Sequence, residues 1–382
     1  MSPINSRSSM VNTMHRLKIL QIGYLDPFNN FGGVEKYILD LTSTLSENFG
    51  CEVDILCSGN KSTIKKTPFG KLIIISVPNF NVPLYRNLRQ IIYSFRAMRY
   101  IEKIKQDYDS IHYHGDNGFI SSKVGNAVLT LHGLSGPFIS KVLDPKQILG
   151  LFSFFIELFN VKRAVSVFSI SEPVTKFIRE LTSITPLDVP QAIKPNLYKD
   201  ANNKLDLRIE LGIDPRAFVG IIIGREPKRK GLDIAVEAFK IINDKRYKLL
   251  VIGFPGYQVN SDYVRYLGDV EEEYKVKCIK ASDFLIMPSK KEGFPIVSIE
   301  ACFANIGIIA SKNSNTSSIA NMARFYRELD TNDPHKYSEC IVDFSNEDLD
   351  HGNLEEVTEK LNQHTFEYVG AKYLKAYQQI NQ

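Results

Sequence analysis

The sequence has no tryptophan, and only five of its 382 residues are cysteine. The cysteines lack the spacing of a metal site and mostly lie in apolar runs, which is typical of a reducing compartment. Long apolar runs are also missing. The longest, Ile148–Phe159, contains Glu157 and is shorter than the roughly 18 to 20 residues that span a bilayer. Residues 1–16 are polar and lack the apolar core of an export signal. We therefore expect a cytoplasmic protein with a disordered tail over 1–16.

Two common nucleotide-binding patterns are absent as well. No G-x-G-x-x-G follows the apolar runs Leu17–Gly23 and Val219–Ile223, which argues against a dinucleotide oxidoreductase, and the P-loop order G-x(4)-G-K-[ST] is missing. The chain is otherwise 43% hydrophobic and 24% charged, a composition and length that can bury two cores. Short apolar strands alternate with amphipathic helices. This alternation predicts an α/β fold with parallel sheets covered on both faces.

The stretch Lys291–Glu300 follows the apolar run Asp283–Ser289, which we predict to be a buried strand. A helix is predicted to begin near Ile296, because a Gly and a Pro precede it. Strand, tight turn and helix start together mark the sheet edge where α/β proteins bind ligands. Glu292 and Glu300 bracket this turn, at most about 12 Å apart at the helical rise. The helix start, which comprises Phe294, Pro295, Ile296 and Val297, is predicted to bind an anion through its free backbone N–H groups.

A second cationic turn follows the predicted strand Val219–Ile223. Arg225 and Lys230 flank it, with Lys228 and Arg229 between them. A departing diphosphate needs fixed positive charge, and arginine suits paired phosphate oxygens. Charged loops are usually just solvated, but the pattern G-R-x(4)-K-G between a strand and a helix is more specific. It predicts a diphosphate site.

The first half of the chain supplies two further candidates. Gly32 and Gly33 begin a helix after the strand Leu17–Gly23, and they allow either a close ligand approach or an ordinary tight turn. His132 follows the predicted strand Ala127–Gly133, so its imidazole is expected to project into a ligand crevice or to serve as a structural group. His114 is a weaker candidate of the same kind.

Taken together, PS-x-x-EGFP-x(4)-EA around Glu292 and Glu300, and G-R-x(4)-K-G around Arg225 and Lys230, resemble the motifs of retaining glycosyltransferases of family 4. The resemblance implies the GT-B fold, with two Rossmann-like doubly wound domains facing a central cleft. It implies an acceptor domain over 17–195 and a nucleotide-sugar donor domain over 196–364. A terminal helix within 365–382 is expected to cross back onto the first domain.

The resemblance also implies roles for individual residues. Gly33 and His132 are expected to face the donor sugar, Glu292 to orient it and Glu300 to hold the ribose. Arg225 and Lys230 are expected to hold the diphosphate. Val270 is expected to contact the nucleobase. Transfer is expected to retain the anomeric configuration without a metal or cofactor, the leaving phosphate itself deprotonating a glycan or lipid-linked acceptor.

Several residues depart from the family pattern. Gln191, Ala192 and Lys194 replace a usual P-N-G-I/V-D segment, and Asn305 and Gly307 replace a usual Gly and Pro. Two other functions therefore remain open: a catalytically degenerate partner subunit and a sugar-nucleotide epimerase. Nucleotide binding without turnover would indicate the subunit, and isomerisation of the nucleotide sugar without an acceptor would indicate the epimerase.

Positive charge is concentrated in one region. The first 194 residues hold 22 Lys and Arg against 15 Asp and Glu, and Lys61–Lys105 contains ten of these bases and one acid, Glu102. The run Leu84–Lys105 predicts a basic amphipathic helix, which either contacts an anionic membrane or packs on the core with a solvated basic face. No nucleic-acid module accompanies the charge, so we expect no nucleic-acid partner. The inner membrane face is the corresponding expectation for location.

Overall fold

The computed structural model describes residues 16–29, 32–78, 85–133, 145–170, 172–199, 203–258, 261–292, 295–347 and 354–381. Its first sheet has the strand order β3-β4-β2-β1-β5-β6-β7-β8, parallel except for the antiparallel edge pair β3 and β4. The strands are β1 Lys18–Ile22, β2 Glu52–Gly59, β3 Thr63–Lys66, β4 Lys71–Ser76, β5 Ser110–His114, β6 Ala127–Leu131, β7 Ser166–Ser169 and β8 Leu187–Asp188.

The second sheet has the order β11-β10-β9-β12-β13-β14 and is parallel throughout the described pairs. Its strands are β9 Phe218–Gly224, β10 Tyr247–Gly253, β11 Val264–Gly268, β12 Phe284–Met287, β13 Gly307–Ser311 and β14 Tyr326–Leu329. Continuous apolar runs such as those of β9 and β12 are buried on both faces, as a helix-covered parallel sheet requires. The predicted pair of doubly wound α/β domains is confirmed.

Helices cover both sheets. The first domain carries α1 Gly33–Glu47, α2 Tyr85–Ile104, α3 Pro145–Val161 and α4 Glu172–Thr182. The second part of the chain carries α5 Asn196–Lys199, α6 Lys204–Glu210, α7 Pro227–Lys230, α8 Leu232–Ile242, α9 Glu272–Ala281, α10 Ile296–Phe303, α11 Pro334–Asn346, α12 Leu354–Asn362 and α13 Phe366–Ile380. Short 3-10 turns lie at Lys105–Asp107, Lys312–Ser314 and Ser317–Met322.

The helix α13 belongs to the core of the first domain, although it follows the second domain in sequence. Its buried residues Phe366, Val369 and Tyr373 pack with Ile19 of β1 and Leu41 of α1. The hydroxyl groups of Tyr373 and Tyr37 lie 2.9 Å apart. The first domain is therefore closed by a segment from the far end of the described chain.

The basic helix α2 also contributes to this domain's core. Tyr93, Ala97 and Ile101 are buried in the core cluster, while Arg96 and Arg99 lie on the outer side and line a surface groove. The helix thus has the core-packing face that the sequence allowed, with its bases turned outward. No described helix is both long and apolar enough to cross a bilayer.

Residues 1–15 of the predicted tail lie outside the described residues. Arg16, the last residue of that prediction, donates a hydrogen bond to the carbonyl oxygen of Gly50 at 2.6 Å.

In the second domain, the predicted cationic loop contains one helical turn, α7. Pro227 lies at its start, where the fixed φ angle of proline suits a helix, and Gly231 ends it in the left-handed region at φ 70°. The charged run is therefore more regular than the predicted loop.

Candidate active site

Two turns at the carboxyl edge of the second sheet are joined to each other. The backbone N–H of Lys290, after β12, donates to the carbonyl oxygen of Arg229 in α7 at 2.8 Å. A Cβ atom at Gly231 would lie 2.1 Å from the carbonyl oxygen of Pro288, so only glycine allows this approach. The cationic turn and the Glu292 turn therefore form one surface.

Glu292 binds two cations of that cationic turn. Its Oε1 lies 2.8 Å from Lys230 Nζ and its Oε2 lies 3.0 Å from Arg229 Nη1. The Glu292 side chain is only 7% exposed, and that of Lys230 is 13% exposed. The backbone of Glu292 is held from the other side, because its N–H donates to Asn313 O and its carbonyl accepts from Asn315 Nδ2. The carboxylate is thus fixed in position and paired with two cations.

The predicted helix start is observed at Ile296, with Pro295 as the residue before it. Pro295 has no N–H group, and Ser298 N already donates to Pro295 O at 3.1 Å. The amides that remain at this helix start are therefore those of Ile296 and Val297. Val297 and Lys230 line the same small cavity, which places the lysine beside this helix start. Phe294, the remaining predicted member, lies outside the described residues.

Glu300 lies in a chain of ion pairs that links the two domains. Its Oε1 accepts from Lys275 Nζ at 2.8 Å, and Lys275 is also 3.0 Å from Glu272. Glu272 in turn pairs with Lys36 of α1. Burial disfavours the charged forms, but Glu300 and Glu272 raise the pKa of Lys275, and Lys275 and Lys36 lower that of Glu272. The ribose-binding candidate is thus connected to the first turn of α1.

The remaining second-domain candidates follow the carboxyl ends of β9 and β11. Arg225 is exposed directly after β9. Val270 follows β11 and packs, partly buried, against the core of the second domain. Asn305 adopts φ 53° after α10, a conformation that asparagine tolerates better than most residues, so the departure from glycine is accommodated there.

In the first domain, Gly33 begins α1 and is exposed. A Cβ atom built at Gly33 would meet nothing within 4 Å, so open space lies over this helix start. One turn further, the ring of Tyr37 packs edge-on against His132 with 4.8 Å between centroids. Gly33 and His132 are therefore brought to the same side of the first sheet by α1.

A hydrogen-bonded chain fixes the protonation of His132. Gln21 Oε1 accepts from His114 Nε2 at 2.5 Å, which leaves Nδ1 of a neutral His114 as an acceptor. His132 Nε2 lies 2.8 Å from that nitrogen and must donate to it. Burial lowers the pKa of His114 well below its usual range and that of His132 to about 3, so both rings are neutral. The other nitrogen of His132, Nδ1, is consequently an acceptor.

A second buried network supports these rings from behind. The ring of His112 packs in a tilted arrangement on that of His114, with 4.3 Å between centroids, and hydrogen-bonds to Tyr377 and Thr130 at 2.6 and 2.7 Å. Thr130 continues to Tyr373 of α13 at 2.8 Å. The helix α13 therefore holds the histidine strands in place.

Among the described residues, no three His, Cys, Asp or Glu side chains are grouped closely enough to hold a metal ion. The chain contains two Asp-x-Asp pairs. Asp107 and Asp109 precede β5 at the amino edge of the sheet, where Asp109 accepts from the backbone of Lys18. The second pair, Asp348 and Asp350, lies outside the described residues.

The structure thus joins Lys230 to Glu292 directly, and links Glu300 to α1 through other residues. Sequence reasoning missed these intermediates: Arg229 as a partner of Glu292, and the series Lys275, Glu272 and Lys36. The i, i+3 spacing of Glu272 and Lys275 was the only local signal available. The pairs between distant segments leave no such signal.

Two family models match the chain, one in each half. The model described as Glycosyltransferase Family 4 matches residues 31–189, and the model described as Glycosyl transferases group 1 matches residues 203–360. Together the two matches include every candidate site residue that the structure describes. The terminal helix α13 lies outside both matches.

Curated relatives are distant. The UDP-Gal:alpha-D-GlcNAc-diphosphoundecaprenol alpha-1,3-galactosyltransferase of Escherichia coli is 24% identical over 63% of this chain and 66% of its own length. The D-inositol 3-phosphate glycosyltransferase of Streptomyces coelicolor is 26% identical over 42% of this chain and 40% of its own length. The alignments therefore span about two thirds and two fifths of these relatives.

A solved structure is similar over nearly the whole chain. Sucrose-phosphate synthase from Thermosynechococcus elongatus superimposes with a TM-score of 0.77 at 18% identity, covering 96% of this chain and 99% of that one. This likeness concerns the fold, which is the GT-B arrangement of two Rossmann-like domains.

Proposed function

Because the chain belongs to the family-4 glycosyltransferases with the GT-B fold, we propose that it moves a sugar from a nucleotide-diphosphate sugar to a glycan or lipid-linked acceptor with retention of configuration. In this proposal the second domain holds the donor and the first domain holds the acceptor. No metal or cofactor is required. The diphosphoundecaprenol-linked substrate in the name of the Escherichia coli relative supports a lipid-linked acceptor.

One observation carries the proposal: Lys230 and Glu292, from two separate turns, meet at 2.8 Å beside the start of α10. A donor entering here would place its sugar on the carboxylate and its diphosphate on the cation. Arg225 at the end of β9 and the amides of Ile296 and Val297 add positive potential for the diphosphate. This charge becomes more valuable as the sugar–phosphate bond breaks, because the leaving group then becomes more negative.

The neutral His132 has a different role in this proposal. Its Nδ1 is an acceptor, so it suits a hydroxyl group of the transferred sugar rather than a phosphate. The leaving phosphate oxygen takes the proton of the acceptor hydroxyl as the new bond forms on the same face. The enzyme then needs no side-chain nucleophile, and its residues orient and stabilise the reacting groups.

Donor binding is tested by a thermal-shift panel of nucleotide sugars, since a ligand that binds only the folded protein raises the melting temperature. We expect one class of nucleotide sugar to stabilise the protein, and its sugar to reach an acceptor with the anomeric configuration seen in the donor by NMR. Glu292→Ala is expected to abolish transfer while circular dichroism stays unchanged. Full activity of this variant would contradict the proposal.

We also propose peripheral contact with an anionic membrane through the basic 61–105 region, at the cytoplasmic face. Arg96, Arg99 and Lys103 line a groove against β3 and β4, and Ile64 on β3 is 60% exposed. Exposed bases beside an exposed apolar side chain suit an anionic lipid surface. Flotation with phosphatidylglycerol vesicles should be lost in Arg96→Ser/Arg99→Ser, and equal flotation with neutral vesicles would contradict the contact.

A further inference from the structure

A second cavity lies between the two domains, outside the donor surface. It has a volume of about 390 Å³, within the range of about 300 to 1,000 Å³ that is typical of small-molecule sites. The first domain contributes residues after β7 and β8, the second domain contributes the turn around Ser317 and Ser318, and α13 contributes Tyr368 and Lys372. None of the candidate donor residues lines it.

The wall of this cavity is rich in uncharged hydrogen-bonding groups. Gln191, Asn315, Ser317, Ser318 and Gln363 supply amides and hydroxyls. The Gln191 side chain is buried, and its Oε1 has no hydrogen-bond partner within the described residues. A buried acceptor without a partner is costly, so a hydroxyl donor at this position would be stabilising.

Charge and ring chemistry narrow the ligand class. Glu172 and Asp188 stand against the single lysine Lys372, which is already bonded to the carbonyl of Asp188 at 3.2 Å. Two carboxylates against one lysine disfavour the binding of a phosphate in this cavity. Tyr368 is 39% exposed and adds an aromatic ring, with Lys372 Nζ lying 5.1 Å from its centroid. A ring beside amides and hydroxyls suits the mixed polar and C–H surface of a neutral sugar.

Residues that line the cavity are hydrogen-bonded to the candidate active site or to its neighbours in both domains. In the second domain, Asn315 lines the cavity and donates to the carbonyl oxygen of Glu292 at 2.6 Å. In the first domain, Ile170 lines the cavity, and its N–H donates to Leu131, the residue before His132, at 3.3 Å. The cavity is therefore connected through these residues to Glu292 and to the strand that precedes His132.

We propose that this cavity is a saccharide subsite that holds an uncharged sugar unit of the acceptor. The inference rests on the proposed transferase function and adds to it that the acceptor contains a sugar near the hydroxyl that reacts. Gln191, which departs from the family's asparagine, donates and accepts at the sugar's hydroxyls, and Tyr368 packs on its ring. The preceding sugar of a growing glycan fits this description.

The test uses saturation-transfer difference NMR on the full chain with glucose, galactose, mannose and N-acetylglucosamine, each in the presence of saturating UDP, GDP or ADP. We expect at least one sugar to bind with millimolar affinity. Ser318→Tyr, which fills the cavity from an exposed position, and Tyr368→Ala should each weaken this binding about tenfold or more. Lys375→Ala, an exposed change on the same helix, is the matched control and should leave it unchanged.

Two further measurements distinguish a failure of the subsite from a failure of the transferase proposal. Nucleotide-sugar binding and slow donor hydrolysis should be the same in Ser318→Tyr as in the wild type, while the KM for the acceptor rises. If no sugar binds the wild type although the donor does, or if both variants bind sugar as well as the control, the subsite is refuted and the transferase proposal stands. If sugar binding follows the prediction but no nucleotide sugar binds, the transferase proposal fails instead.

Discussion

Replacing Lys230 by alanine removes the cation that lies 2.8 Å from Glu292 Oε1. At that distance and an effective dielectric constant of about 20, two unit charges attract by about 6 kcal/mol before desolvation is subtracted. Glu292 keeps Arg229 at 3.0 Å, so the carboxylate is not left alone. We therefore expect the free energy of unfolding to fall by about 1–3 kcal/mol, less than the loss of a whole buried pair.

The effect on catalysis should be larger than the effect on folding. If Lys230 stabilises the departing diphosphate, its loss should lower kcat by about 100- to 1,000-fold, as for other preorganised donors to a developing anion. Nucleotide-sugar affinity should fall less, because the charge on the leaving group grows only as the bond breaks. This separation of kcat from affinity distinguishes a transition-state role from simple ground-state binding.

The assay compares initial transfer rates and donor dissociation constants of Lys230→Ala with those of Lys228→Ala. Lys228 is exposed in the same helical turn, so the control loses an equal charge without touching Glu292. We expect near wild-type rates for Lys228→Ala. A folded Lys230→Ala variant that retains more than about a third of the wild-type rate would refute the assignment of the diphosphate site.

Three other outcomes are expected. Gly33→Ala should fold at least as stably as the wild type, because its Cβ meets nothing within 4 Å, but should weaken donor binding; unchanged donor titrations would remove Gly33 from the site. Burial raises the pKa of Asp40 to about 6, so the native state binds this proton more tightly than the unfolded state does. The free energy of unfolding therefore falls as the pH rises from about 4 to about 6. Asp40→Asn should stabilise the protein at pH 7.5 and lose this advantage near pH 4, as urea unfolding can measure. Because burial lowers the pKa values of His112, His114 and His132 below the unfolded value, acid should favour unfolding, by about 1 kcal/mol per histidine between pH 7.5 and 5.5; melting temperatures that rise over this range of falling pH would contradict the neutral network.

Much of the fold could be predicted because the central strands are short, continuously apolar and regularly interrupted. Strands such as β9 and β12 can be identified from their own residues, because burial on both faces makes them continuously apolar. The edge strand β3, Thr63–Lys66, was not predicted, because it is polar and largely exposed and, within the described part of the chain, pairs only with β4, in the antiparallel sense. Its conformation depends on a neighbour rather than on its own sequence.

The candidate site was predictable to a similar extent. Glu292, Lys230 and the helix start at Ile296 follow from local strand–turn–helix patterns. The partners that fix the charges do not, because Lys36 and Glu272 are far apart in sequence and meet only once the domains are assembled. The tautomer of His132 likewise depends on Gln21, a buried residue of β1 whose role no motif reveals.

The position of α13 has a consequence for biosynthesis. During translation, the strands of the first domain emerge long before Phe366 and Tyr373, which fill their hydrophobic interior. Until the ribosome has passed Ile380, that nascent half exposes an unfilled apolar surface beside the histidine strands. Chaperone binding to the growing chain should therefore persist through synthesis of the entire second domain, and a fragment that stops before α13 should aggregate rather than fold.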